Sequence, residues 1–89
     1  MQREPHRWQT VFGSWVQSYG VPRLASDLSA VGQPVTTFAV HKWVAGSHSP
    51  RPDRAAAMER LSRGSITIGD IYSHRAVVQR EVGIVGGTT

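Results

Sequence analysis

Thr37, Phe38, His41 and Lys42 bring a hydroxyl, an aromatic ring, an imidazole and an ammonium into six consecutive residues. At helical spacing, 37 with 41 and 38 with 42 stand one turn apart on the same side. These groups match what the edges of DNA bases offer in a major groove. An apolar ring or a threonine methyl meets a thymine methyl, and imidazole or ammonium N–H groups donate to guanine O6 and N7. Thr36, Arg23, Arg51 and Arg54 flank this cluster with groups suited to phosphate oxygens. Other chemistries find less support. Ser, His and Asp all occur, but no nucleophile elbow gathers them, and the glycines form neither usual phosphate-cradling spacing. The chain has no cysteine, hence no thiol nucleophile and no Cys-based zinc site. Of its four histidines, His41 and His48 flank a glycine loop with no acidic residue at ligand spacing, and His6 and His74 are expected in solvent. The sequence therefore predicts a protein that is not an enzyme and has no metal or cofactor.

Charge points the same way. The chain has 89 residues and a formal net charge of +4, and nine of its ten cations are Arg, whose planar fork suits phosphate and guanine. Between positions 36 and 63, five cations face two carboxylates, so most of the net charge surrounds the cluster. No stretch is apolar and long enough for a signal peptide or a membrane span, which predicts a cytoplasmic, nucleoid-associated protein with no membrane partner.

The elements that position the cluster are helices. Trp8, Phe12, Trp15 and Tyr19 recur at helical spacing, placing one aromatic stripe on a first helix over about 7–19, with Gly13 allowing a close neighbour and Gly20 ending it. Pro22 opens a second helix over 23–28, with Leu24 and Leu28 inward. A break over 29–34 follows. Thr36 caps a third helix ending at Ala45 and closed by Gly46, with Val40 and Trp43 turned toward the core. Two helices joined by a turn, the second polar on one side, form the pattern of a helix-turn-helix DNA reader. Ten residues of helix span roughly 15 Å, which suits a major groove about 12 Å wide. A fourth helix is expected over 53–63 with Met58 and Leu61 inward, and Gly64 stopping it. Ser65 to Ile68 alternates like a short extended segment. A fifth helix is expected over 71–82, and the end from Gly83 is expected to be mobile. The fold class is thus all-α, a compact bundle of about five helices, with residues 1–72 as the DNA-binding domain and 73–89 as a C-terminal helix and tail. Ile71, Val78 and Val82 line one stripe of that last helix. As a homodimer surface, the stripe would set two third helices about 34 Å apart, one turn of DNA, on a palindromic operator.

Three stretches of this sequence resemble the Cro/YdaS-like group of phage-type helix-turn-helix regulators, within the lambda-repressor-like fold. They are Leu24-Ala25-Ser26-Asp27-Leu28, the run from Val35 to Gly46 with its Val40, Trp43 and Gly46, and Arg54 to Arg60 followed by Gly64-Ser65-Ile66-Thr67-Ile68-Gly69-Asp70-Ile71. The resemblance covers a little over half the chain and implies a bundle of about five helices that binds a DNA operator, usually as a dimer. The expected function is a sequence-specific double-stranded DNA-binding regulator of phage or mobile-element type, a repressor. Thr37, Phe38, His41 and Lys42 would read bases, and Arg23, Thr36, Arg51 and Arg54 would hold phosphates. The alternative is a protein-interaction module, an antitoxin or phage adaptor, using Phe38 and the C-terminal apolar stripe as anchors.

Overall fold

A computed structural model describes residues 8–87, with side chains described through Gln79. Its five helices are α1 (Val11–Tyr19), α2 (Val21–Ala30), α3 (Thr37–Ala45), α4 (Pro52–Leu61) and α5 (Ile68–Gly87). There is no strand among the described residues, and the molecule is an all-α bundle. The helix order is as the sequence predicts, but several boundaries move, each for a local reason. α1 begins at Val11 because the Thr10 hydroxyl accepts the Gly13 N–H at 2.9 Å and caps it, which leaves Trp8 ahead of the helix. α2 runs two residues past Leu28, so only Val31 to Thr36 separate it from α3. The expected extended segment over 65–68 is instead a loop and a helix start. Ile66 is buried, the Thr67 hydroxyl accepts the Asp70 N–H at 3.1 Å, and the Asp70 carboxylate accepts the Thr67 N–H at 2.9 Å. This reciprocal pair is a capping box, and it starts α5 at Ile68. The alternation of Ile66 and Ile68 reflects one buried plug and one half-exposed residue, not a strand. α5 continues to Gly87, through the glycines where a mobile end was expected.

Three helices end in the same way. After α2, the Gln33 N–H reaches the Leu28 carbonyl (2.8 Å) and the Gly32 N–H the Ser29 carbonyl (3.2 Å). After α3, Ser47 and Gly46 pair likewise with Lys42 and Trp43, both at 3.1 Å. After α4, Gly64 and Arg63 pair with Glu59 and Arg60, at 3.2 and 3.0 Å. Each is a Schellman closure, which needs a left-handed residue just past the helix. Gly32 (φ +85°) and Gly46 (φ +82°) take that role, and at the third site Arg63 adopts it at φ +55°. The stop of α4 is therefore set by Arg63, one residue before the glycine that the sequence singles out.

The core comprises Phe12, Val16, Leu24, Leu28, Val40, Trp43, Val44, Met58, Ile66 and Ile71, with Ala55 and Ala57 allowing α4 to pack closely. α5 touches α1, α3 and α4, and its grip on α3 is polar as well as apolar. His74 is 1% exposed, not solvent-facing as expected. Its Nε2 lies 2.8 Å from the Val44 carbonyl in the last turn of α3, and its Nδ1 lies 2.6 Å from the Thr10 hydroxyl. A carbonyl only accepts, so Nε2 carries the proton. Nδ1 then accepts from Thr10, whose oxygen is free to take the Gly13 N–H. The Phe12 ring stands edge-on to the imidazole, 5.1 Å between centroids. One neutral side chain thus joins the start of α1 to the end of α3. Arg75 Nε (3.2 Å) and Gln79 Nε2 (2.5 Å) both donate to the Gly46 carbonyl just beyond.

These placements bear on the expected dimer stripe and on the expected domain boundary. Ile71 (2% exposed) and Val78 (1%) are buried within their own chain, so they need no second copy to cover them. The Val82 side chain lies outside the described residues. A boundary after residue 72 falls within the first turns of α5 and would separate His74 and Val78 from the interior they complete.

Two outcomes follow from this packing. A Cβ at Gly46 would sit 2.9 Å from Val78 Cγ1, whereas one at Gly32, in the same backbone conformation, would meet nothing within 4 Å. Gly32→Ala should lose only the left-handed preference, about 1 kcal/mol. Gly46→Ala should add an overpacking penalty of about 1–3 kcal/mol, read as a larger drop in Tm. Burial holds the His74 pKa below its ordinary 6.5, and the hydrogen bond to Val44 opposes this more weakly. Below pH 6.5 the unfolded chain therefore takes up the proton before the folded one, and stability falls with pH until the folded-state pKa is reached. Urea midpoints should be level from pH 8 to about 6.5 and decline below it, and His74→Gln should flatten that decline. A slope unchanged in His74→Gln would show that the imidazole is not the group responsible.

Candidate nucleic-acid interface

α3 is divided lengthwise. Val40, Trp43 and Val44 are buried and Ala39 is half-buried, which turns Thr37, Phe38, His41 and Ala45 outward. Phe38 is 67% exposed, the most exposed of the large apolar side chains described. Lys42 is half-buried, and its ammonium stands 4.7 Å from the centre of the Phe38 ring. The structure thus brings all four predicted base-reading residues onto one accessible strip. The side chains of Thr37 and His41 make no hydrogen bond or ion pair with the described residues, and Lys42 has no carboxylate partner among them. The Thr36 hydroxyl accepts the Ala39 N–H at 3.1 Å, so its oxygen works first as the cap that starts the strip.

The flanking cations divide into engaged and free. Arg23 lies over the Tyr19 ring (4.6 Å) and 3.7 Å from the Asp27 carboxylate, with its side chain 71% exposed. Tyr19 donates to that same carboxylate, and this hydrogen bond above all holds its phenol above the ordinary range. Asp27 thus ties the end of α1 to the middle of α2, and Arg23 serves it as a counter-ion. Arg54 reaches back from α4 to donate to the Pro34 carbonyl at 3.1 Å, and its Nε is buried without a partner. It braces the turn between α2 and α3, a role the sequence does not reveal, because the two residues are twenty apart. Arg51, the extended residue just before α4, is exposed, and its side chain makes no hydrogen bond or ion pair with the described residues. Of the predicted phosphate-holding residues, it alone has a guanidinium with no other task.

Two polar features escape a reading of the sequence. His74 has no neighbouring signal that distinguishes it from a surface histidine, since its partners come from α1 and α3. Tyr72 donates to the Pro50 carbonyl at 3.0 Å and pins the loop between α3 and α4 to α5. That loop carries the chain from the end of α3 to Arg51, so the pin helps to fix where the free cation stands. No helix among the described residues is long and apolar enough to cross a membrane. Compared with known proteins, the chain matches no family model, no curated protein and no solved structure.

The contrast between Arg54 and Arg51 is measurable without a ligand. Arg54→Ala should destabilise the fold by about 1 kcal/mol, the usual worth of one such hydrogen bond. Arg51→Ala should fall within about 0.5 kcal/mol of wild type. Equal losses in chemical denaturation would refute the division of roles.

Proposed function

We propose that this protein binds double-stranded DNA in a sequence-specific manner and regulates transcription, reading bases with the outer strip of α3. The observation that carries this reading is the exposed strip itself. Thr37, Phe38, His41 and Lys42 stand together with their polar groups unspent and a large aromatic ring in solvent. An exposed phenylalanine beside a lysine with no carboxylate partner leaves an apolar and a cationic group together and available to a ligand. Phe38 and Thr37 suit thymine methyls, and His41 and Lys42 suit guanine O6 and N7. Arg51 is the principal phosphate contact, with Thr36, Arg23 and Arg54 closer to the helix framework. By analogy with small regulators of this general plan, repression through occupancy of an operator is the reading adopted. With Ile71 and Val78 inside the chain, the proposed binding unit is a single copy on a single half-site. An inverted repeat would require a dimer surface elsewhere.

Selection from random duplex DNA at about 150 mM salt should enrich one short motif. Lys42→Ala should then lose about 1–3 kcal/mol on that motif and relax preference at one base pair. Arg51→Ala should weaken binding to all sequences alike and lower the salt slope by about one. Two half-sites about ten base pairs apart would restore the dimer. Failure to enrich any motif, together with a protein partner bound through Phe38 with little salt dependence, would favour the interaction-module reading instead.

A further inference from the structure

Arg23 and Lys42 are both cations placed over an aromatic ring four residues earlier in the chain, at 4.6 Å and 4.7 Å, but Tyr19 ends the preceding helix whereas Phe38 shares α3 with its lysine. Their surroundings differ. Arg23 also meets Asp27, so its charge is answered within the chain. Lys42 meets the ring alone, and Phe38 is 67% exposed although apolar. Lys42 is the single lysine among nine arginines. Lysine is a flexible point charge without the rigid fork that lets arginine present donors in a set direction. A ring beneath the ammonium supplies the missing direction. It restrains the side chain and leaves the N–H groups not turned to the ring free to donate.

We propose that Phe38 and Lys42 act as one specificity-determining unit, in which the ring covers a thymine methyl and also positions the ammonium on a neighbouring guanine. This rests on the reading of α3 given above and adds the nature of the base step. The ammonium stands 4.7 Å from the ring centre, and stacked base pairs advance about 3.4 Å. The two contacts therefore fall on adjacent or next-adjacent base pairs. Phe38 is a positioning residue for the guanine contact and a direct contact for the thymine.

Two modified duplexes separate these roles once the selected motif is known. Uracil in place of the thymine removes the methyl, and 7-deazaguanine in place of the guanine removes N7. Wild type should lose about tenfold in affinity on each. Lys42→Ala should become insensitive to 7-deazaguanine alone. Phe38→Ala should become insensitive to both, and Phe38→Ala/Lys42→Ala should bind no worse than Phe38→Ala at the guanine. Phe38→Trp should keep the 7-deazaguanine response. In the free protein, NMR should show the Lys42 side-chain methylene protons shifted upfield by the ring, and Phe38→Ala should abolish the shift while the helical circular dichroism is unchanged. Phe38→Ala that responds to 7-deazaguanine as wild type does, with the two single effects multiplying in the double variant, would overturn the unit and leave α3 as the reader. No enriched motif for wild type would overturn both the unit and the reading it rests on.

Discussion

The hold of α5 on the C-terminal end of α3 is the constraint from which the other features follow. A helix leaves its last carbonyls without intrahelical partners. Here His74 takes the carbonyl of Val44, and the amides of Gly46 and Ser47 take those of Trp43 and Lys42. Arg75 and Gln79 then fix the Gly46 carbonyl, and Val78 packs where the glycine lacks a Cβ. α3 is thus gripped at one end and along one side. Its other side has nowhere to pack, which is why Phe38 remains in solvent.

That grip also accounts for the character of the core. A domain of this size buries a limited apolar area, and its folded state is marginal on that term alone. The chain adds cross-links between distant elements: His74 between α1 and α3, Arg54 between α4 and the turn before α3, Tyr72 to the loop after it, and Asp27 to Tyr19. Three of these four bear directly on how α3 sits. Three long-range polar contacts of the framework thus converge on the orientation of one helix, as a rigid presenting surface requires.

The same economy sorts the arginines. Charge alone marks Arg23, Arg51 and Arg54 as equivalent, but two of them have partners within the chain. Arg54 answers a carbonyl left open by the turn at Pro34, and Arg23 answers Asp27. What remains is a smaller set of free groups, concentrated on α3 and at the start of α4. The reading proposed for them is correspondingly narrower than the charge pattern first suggested.

Local chemistry made the helices legible. Thr36 with Ala39, and Gly46 with its left-handed backbone, act over a few residues, so α3 and both its ends could be read directly from the chain. The outward strip was legible too, because 3.6-residue periodicity sorts Val40 and Trp43 from Phe38 and His41. The alternation of Ile66 and Ile68 misled, since one buried residue ahead of a capping box imitates a strand. By itself, the sequence determined the number and order of the helices and the composition of the exposed strip, all properties of short-range backbone and side-chain preference. Only the tertiary structure decided that His74, Ile71 and Val78 lie inside, and that Arg54 is a brace while Arg51 is free. Those outcomes depend on which distant carbonyl or apolar surface each side chain meets once α5 closes on α1 and α3. No spacing along the chain encodes such a meeting.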